Sequence, residues 1–365
     1  LINIDNIKTI FKKIRNKVEG KLRKTKIVYM GTPEFAVAPL DALRKNGYNI
    51  AGIVTVADKA SGRGLKINES AVKKYAVEHN IPVLQPVSLK DPEFLEALKA
   101  WDADIFVVVA FRMLPKVVWE MPKLGTFNLH AALLPQYRGA APINWAVING
   151  EYITGVTTFM INEGIDTGHI MFRDQCRIEE TDTAGDIHDK LMALGSNLVV
   201  QTVESVIDKS VELRLQKSFI QGSEVLKPAP KLTRELCHID WNGKTKDIYN
   251  LIRGLSPYPA AFTELTKEGK EPQQMKIFFG EKVTGDAFNA LLAENGRDSA
   301  APGEVLSDGR NYLAISTEDG AISITDLQLS GKKRMAVKDF LIGFRDASSY
   351  GTTKGTSSGI TGKNS

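Results

Sequence analysis

Cysteine is the scarcest residue of this chain, which has only Cys176 and Cys237 among its 365 residues. Two cysteines are too few for a disulfide framework or for a cysteine-rich zinc site. Long apolar runs are missing too, since no stretch approaches the roughly 18 residues of a membrane-spanning helix. With 43% hydrophobic and 25% charged residues, the composition is typical of a globular protein, and a reducing cytoplasm is the expected compartment.

A glycine-rich dinucleotide motif is also absent. The first apolar run, KIVYMG from Lys26, continues into GTPEFA, where a dinucleotide-binding fold would have GxGxxG. The net charge of +4 lies in the N-terminal arm, because residues 1–25 carry eight basic residues against two acidic ones, or +6. Any surface for nucleic acid must therefore come from how charges are arranged on one face of a domain.

Residues 1–23 form a basic extension with apolar residues at helical spacing between lysines. One interpretation is a basic amphipathic helix that contacts RNA, a membrane or a partner. The other is a frayed extension that results from an upstream start site. A secretory signal is disfavoured because charges interrupt the apolar positions, and an organelle transit peptide is disfavoured because the arm has no serine.

The sequence predicts two folded domains joined by a linker. Over residues 24–207, strands alternate with helices, as in a Rossmann-like parallel sheet with right-handed crossovers. Residues 208–230 lose this periodicity and end in KPAPKL, which is typical of a linker. Residues 231–345 contain one helical segment and then short apolar strands between turns, which favours a small barrel. The tail, residues 346–365, is rich in Ser, Gly, Thr and Lys and is expected to be disordered.

Three polar residues are expected to meet at the carboxyl ends of the first domain's strands: Asn128, His130 and Asp166. A histidine beside a carboxylate can act as a general acid or base, and an asparagine can donate a hydrogen bond to a developing oxyanion. No serine or cysteine stands in the loop after His130, which indicates attack of one substrate on another. Each residue also has a purely structural interpretation: His130 as a hydrogen-bond partner, Asn128 as a cap at the end of a strand, and Asp166 as a turn residue. A metal site is disfavoured because asparagine is a poor ligand for soft metals.

The segment NLHAALLPQYRGAAPINWAVINGE, followed by GIDTGHI, resembles the formyltransferase family that uses 10-formyltetrahydrofolate. The resemblance covers residues 24–345, and KIVYMGTPEFAV, LSPYPAAF and LQLSGKKRM are most similar to members that act on methionyl-tRNA. It implies that Asn128, His130 and Asp166 are catalytic. The α-amino group of methionine on initiator tRNA would attack the formyl carbon, for translation initiation. No metal is implied.

The same resemblance implies a folate site in two loops. The first loop, Ala132, Leu133, Leu134 and Pro135, matches the family's SLLP with alanine in place of serine, so any contribution of Ala132 must come from its backbone. The second comprises Phe111, Arg112, Met113 and Leu114, where the family usually has Tyr-Gly in place of Phe111-Arg112. Arg112 is therefore expected either to alter the pterin pocket or to point to solvent.

The resemblance also implies a tRNA surface. From composition alone, the loop Asp58–Ile67, DKASGRGLKI, is either a polyanion-binding loop or a solvated connector. By the resemblance, this loop inserts at the acceptor end, with Arg63 and Lys66 as contacts. The C-terminal module would be an OB-like domain that binds the tRNA backbone, with Lys332, Lys333 and Arg334 as its densest basic cluster. From the sequence alone, without the resemblance, these three residues would be interpreted as a turn exposed to solvent.

Three other functions remain open at this stage. For the function that the resemblance implies, the protein is expected to be a monomer. A formyltransferase for a sugar nucleotide or glycinamide ribonucleotide is disfavoured by the C-terminal barrel and the SGRG loop. A hydrolase of formyl-folate would use the same three residues on water. A non-catalytic RNA-binding protein would not need the histidine and aspartate pair.

Overall fold

The computed structural model describes residue 20 and residues 24–61, 66–344 and 346–353. The chain divides into two compact units. The first combines residues up to Gly139 with Ile153–Cys176 and His188–Pro228, and the second combines Ala140–Tyr152, Arg177–Ile187 and the chain from Ala229 onward.

The first unit contains a seven-stranded sheet in the order β5-β2-β1-β6-β7-β8-β9. Its central pairs are parallel, whereas β7 and β8 run antiparallel. The Rossmann-like fold predicted from the sequence is confirmed. Two further strands, β3 and β4, form a separate antiparallel pair. The strands are β1 Lys26–Gly31, β2 Asn49–Val54, β3 Lys59–Ser61, β4 Lys66–Asn68, β5 Val83–Leu84, β6 Ile105–Val109, β7 Thr126–His130, β8 Ile153–Met160 and β9 Ile170–Arg177.

Two helices of this unit begin at a residue whose side chain caps them. The side chain of Ser70 accepts a hydrogen bond from Lys73 N. The side chain of Asp91, the residue before Pro92, accepts one from Glu93 N. A 3-10 turn, Glu34–Ala36, precedes the first helix, which begins at Val37. The helices are α1 Val37–Lys45, α2 Ala71–Glu78, α3 Pro92–Ala100, α4 Lys116–Trp119 and, shared with the second unit, α6 Ala184–Asp208.

The core of the first unit lies around its central strands. All five residues of β6 are buried, as expected for a strand covered on both faces. Val28, Phe106 and Leu98 belong to one apolar cluster there. This packing fixes the strand ends, and so fixes the positions of the side chains that follow them.

The second unit contains a second seven-stranded sheet, antiparallel, in the order β12-β13-β14-β11-β10-β16, with β15 paired to β14. The predicted barrel-like domain is confirmed. Its core surrounds Trp241, which is 1% exposed and donates from Nε1 to Thr263 Oγ1 at 3.1 Å. The strands are β10 Ala261–Thr266, β11 Gln273–Thr284, β12 Val305–Ser307, β13 Leu313–Ser316, β14 Gly320–Leu329, β15 Met335–Ala336 and β16 Gly351–Thr352. The helices are α5 Pro142–Ile148, α7 Arg234–Cys237, α8 Thr245–Leu255, α9 Asp286–Glu294 and α10 Val337–Ile342.

Two segments are more ordered than their composition predicts. Part of the expected linker, up to Pro228, belongs to the first unit, and Arg214 pairs there with Ile170. The start of the expected tail forms a 3-10 turn, Ala347–Ser349, and then β16, which pairs with β10. The prediction of disorder is therefore wrong for residues 346–353, because Tyr350 buries its ring there. Residues 1–19 and 354–365 lie outside the described residues. No helix of the described ranges is long and apolar enough to cross a membrane.

Candidate active site

Strand β7 delivers the first two predicted residues to one face of the sheet. Asn128 and His130 are two positions apart, so their side chains point the same way. The backbone of Asn128 lies between those of Val108 on β6 and Phe159 on β8. Asn128 is half-buried, whereas His130, the last residue of the strand, is 5% exposed.

The ring of His130 is held by the loop that follows it. Its Nε2 lies 2.8 Å from the carbonyl oxygen of Tyr137, within a loop that turns back at Tyr137, whose φ is 59°. A carbonyl oxygen only accepts, so Nε2 carries the proton and donates it. Nδ1 is therefore the nitrogen that can gain or release a proton during a reaction.

Asp166 faces that nitrogen from a second loop. Its Oδ2 lies 3.8 Å from His130 Nδ1 and accepts a hydrogen bond from Gly139 N at 3.0 Å. The distance to Nδ1 is too long for a hydrogen bond, but it is short enough for a direct electrostatic interaction between the two groups. Asp166 has a φ of 51°, a region that aspartate and asparagine tolerate better than most residues. The structure thus brings His130 and Asp166 together as the sequence predicts.

The loop that carries Asp166 is fixed at Asp166 itself and at Gly168. A Cβ at Gly168 would lie 1.6 Å from the carbonyl oxygen of Met160, so only glycine fits here. Gln216, which sequence analysis missed, donates from Nε2 to the carbonyl oxygens of Asp166 and Gly168 at 2.7 and 2.9 Å. No local sequence signal identifies Gln216, because its partners are about fifty positions away in the chain.

The first predicted folate loop is braced from beneath by Thr157. This fully buried hydroxyl donates to the carbonyl oxygen of Ala132 at 2.6 Å and accepts from Leu134 N at 3.1 Å. Ala132, Leu134 and Pro135 are buried and Leu133 is half-buried. Leu133 is therefore the member of this loop that is most accessible to a ligand. Thr157 was also missed from the sequence.

The second predicted folate loop differs from expectation at Arg112. Its guanidinium does not point freely to solvent: Nη1 donates to Val87 O at 2.8 Å and Nη2 to Pro86 O at 2.5 Å. Burial lowers the pKa of this guanidinium. The other three residues of this loop differ in burial. Leu114 belongs to the core, Phe111 is half-buried against that core, and Met113 is 70% exposed.

The predicted tRNA contacts are described only in part. Arg63 lies outside the described residues, and only the backbone of Lys66, in β4, is described. Lys332, Lys333 and Arg334 are exposed on the turn between β14 and β15. Arg334 is bonded to Asp326 through Nε at 2.8 Å and lies over the Phe278 ring, so the two lysines are the cluster's more available charges. Among the described residues, no group of three or more His, Cys, Asp and Glu is placed to hold a metal ion.

Comparison with known proteins identifies the class. The formyl transferase family matches residues 24–203, and the formyl transferase C-terminal domain matches residues 231–345. This chain belongs to the formyltransferase family.

Similar relatives narrow the class further. A methionyl-tRNA formyltransferase of Azobacteroides pseudotrichonymphae is 53% identical over 321 residues, covering 88% of this chain and 96% of the relative. A methionyl-tRNA formyltransferase of Bacteroides fragilis is 50% identical over 319 residues, covering 87% and 95%.

Solved structures support the fold alone. The sugar 3N-formyltransferase WlaRD has a TM-score of 0.56 at 21% identity and covers 85% of this chain and 99% of its own. HypX from Aquifex aeolicus, in complex with tetrahydrofolic acid, has a TM-score of 0.57 at 18% identity, with 87% and 47% covered.

Proposed function

We propose that this protein transfers the formyl group of 10-formyltetrahydrofolate to the α-amino group of methionine on initiator tRNA, for translation initiation. The observation that carries this proposal is the pair of buried His130 and half-buried Asp166, with Asn128 on the same strand as His130, in a chain about half identical to methionyl-tRNA formyltransferases. The loop after His130 has no serine or cysteine nucleophile, which favours direct attack by the substrate's own nitrogen over a covalent enzyme intermediate.

The chemistry follows from the orientation of His130. The substrate amine attacks the formyl carbon, and the carbonyl oxygen becomes negative as the new C–N bond forms. Asn128 and the protonated Nδ1 of His130 stabilise this oxyanion. The amine loses a proton, N10 of the folate gains one, and the C–N10 bond breaks. Asp166 stabilises the charged imidazole through this sequence.

Folate binding is assigned to the two loops described above. The 132–135 loop is held in shape by the two hydrogen bonds of Thr157, and backbone groups of such a loop would suit the donor and acceptor edge of a pterin. Phe111, Arg112, Met113 and Leu114 would form the second wall. Because Arg112 is bonded to the carbonyls of residues 86 and 87, its role there is to fix that wall.

For tRNA, the proposal assigns the loop with Arg63 and Lys66 to the acceptor end and Lys332, Lys333 and Arg334 to backbone phosphates. Residues 24–207 would be the catalytic domain and residues 231–345 the tRNA-binding domain, in a monomeric cytoplasmic enzyme. Contacts of this kind weaken with salt.

The test is a formylation assay with 10-formyltetrahydrofolate and charged tRNA, with initiator and elongator methionyl-tRNA side by side. Formyl-methionyl-tRNA should appear with the initiator. His130→Ala should slow turnover by more than about a hundredfold, as loss of a general acid or base does. His188→Ala is the control, because His188 pairs with Asp189 in a partly exposed position. Near-normal turnover of His130→Ala would remove His130 from the mechanism.

A further inference from the structure

Gln216 is a buried polar residue that has no role in the mechanism proposed above. It opens a 3-10 turn, Gln216–Phe219, inside the segment whose composition predicts a linker, yet it is only 5% exposed. Burying a primary amide costs free energy unless each of its polar atoms finds a partner. A buried glutamine in a connecting segment therefore calls for a specific explanation.

Every hydrogen-bonding position of this amide is used. Oε1 accepts from Nε and Nη2 of Arg138 at 3.0 and 2.6 Å. Nε2 donates to the carbonyl oxygens of Asp166 and Gly168 at 2.7 and 2.9 Å. Two donated and two accepted bonds are the full capacity of a primary amide. The orientation is fixed as well, since a flipped amide would turn its NH2 group toward a guanidinium, which has only donors.

These four bonds connect the two loops that enclose His130. Arg138 follows Tyr137, whose carbonyl oxygen holds Nε2 of the imidazole. Asp166 lies across Nδ1, and its carboxylate also accepts from Gly139 N. Gln216 therefore closes a ring of contacts in which the imidazole is held from one loop and faced by the carboxylate of the other.

We propose that Gln216 is a positioning residue for formyl transfer, which sets the separation of His130 and Asp166 by joining their two loops. The inference rests on the catalytic roles proposed above for that pair. A leucine at this position would leave two carbonyl oxygens and a guanidinium without their partner. A glutamate would keep the bonds to Arg138 but would set a carboxylate against both carbonyls. Each change loosens the link on the side of Asp166.

The experiment compares Gln216→Leu and Gln216→Glu with Gln221→Leu, an exposed glutamine of the same segment. Formylation is measured under single turnover, with the KM for 10-formyltetrahydrofolate measured alongside. Both Gln216 variants should lose about ten- to a hundredfold in rate, because a misplacement of about 1 Å can cost that much. The KM for folate should change by less than about threefold, since no bond to a folate loop is lost. Gln221→Leu should behave as wild type.

A second readout reports the position of the imidazole without relying on turnover. The chain has five histidines, so the ring nitrogen signals of selectively labelled protein can be assigned with a His130→Asn sample. Gln216→Glu should shift the Nδ1 and Nε2 signals of His130 and leave those of His188 in place. Should Gln216→Leu fail to fold, Gln216→Glu still serves, because it keeps the bonds to Arg138.

The double variant Gln216→Leu with Asp166→Asn completes the test. If Gln216 acts through Asp166, the double variant should be no slower than Asp166→Asn alone. Unchanged His130 signals, or a wild-type rate in Gln216→Leu, would overturn the inference. Shifted signals in a protein that makes no formyl-methionyl-tRNA would uphold the positioning of His130 and refute the proposed function instead.

Discussion

Asp166→Asn is the most informative substitution at the candidate site. The amide keeps the shape of the carboxylate, can still accept from Gly139 N, and tolerates the φ of 51° at this position. Only the charge opposite Nδ1 of His130 is lost. An alanine would also strain the backbone, so asparagine separates the electrostatic effect from folding.

The size of the effect follows from the 3.8 Å between Asp166 Oδ2 and His130 Nδ1. Two unit charges at that distance attract by about 4 kcal/mol at an effective dielectric of about 20, and by about 1 kcal/mol in water. The side chains are 6% and 17% exposed, so the loss should lie between these limits. Each 1.36 kcal/mol is about tenfold in rate, and the rate of formyl transfer should therefore fall by roughly 10- to 1,000-fold.

The assay is single-turnover formylation of methionyl-tRNA, with the free energy of unfolding in urea measured on the same samples. Asp189→Asn is the matched control, because its carboxylate pairs with His188 at the surface, where Asp189 is 76% exposed, and an exposed pair contributes little. A rate for Asp166→Asn within about twofold of wild type, or an equal loss in Asp189→Asn, would refute the electrostatic role of Asp166.

Three further predictions concern the surrounding structure. Thr157→Val should lower the free energy of unfolding by about 1–2 kcal/mol, because its two bonds are lost while Ala132 O and Leu134 N keep the bond to each other. It should also raise the KM for folate. Thr158→Val, the buried neighbour, should destabilise without changing that KM. Replacing Lys332 and Lys333 with alanine should reduce the slope of log K for tRNA binding against log salt concentration by about two, as loss of two phosphate contacts would. An unchanged slope would show that these lysines do not contact the tRNA. Arg253→Met should lower the free energy of unfolding, measured in urea, by about 2–4 kcal/mol. The reason is that the Arg253 guanidinium donates to Asp182 O and Asn250 Oδ1, each at 2.9 Å. A loss no larger than that of the exposed control Arg310→Met would contradict this.

Local patterns are sufficient for the parts of the fold that depend on neighbouring residues. The apolar run of β6, the Asp91–Pro92 start of α3 and the shared face of Asn128 and His130 follow from the periods of strand and helix. The helix α9, Asp286–Glu294, was missed even though Phe288, Leu291 and Leu292 have helical spacing. The surrounding strands favoured an all-β interpretation of this stretch.

Residues that act through distant contacts were not predictable from one sequence. Gln216 meets Asp166 from fifty positions away, and Thr157 braces a loop twenty-five positions before it. Each looks like an ordinary polar residue until the sheet places its partners. For Arg112, the sequence suggested either an altered pterin pocket or a side chain that points to solvent. The hydrogen bonds that Arg112 makes to the carbonyl oxygens of residues 86 and 87 were not predicted.

The central claim is that the nucleophile at this site is the amine of methionyl-tRNA. The most direct measurement follows labelled formyl from 10-formyltetrahydrofolate, with and without methionyl initiator tRNA. With tRNA present, the label should appear on the methionyl amine, and without it, release of formate should be slower by at least about a hundredfold. Release of formate at the same rate in both samples would contradict the account and identify a formyl-folate hydrolase.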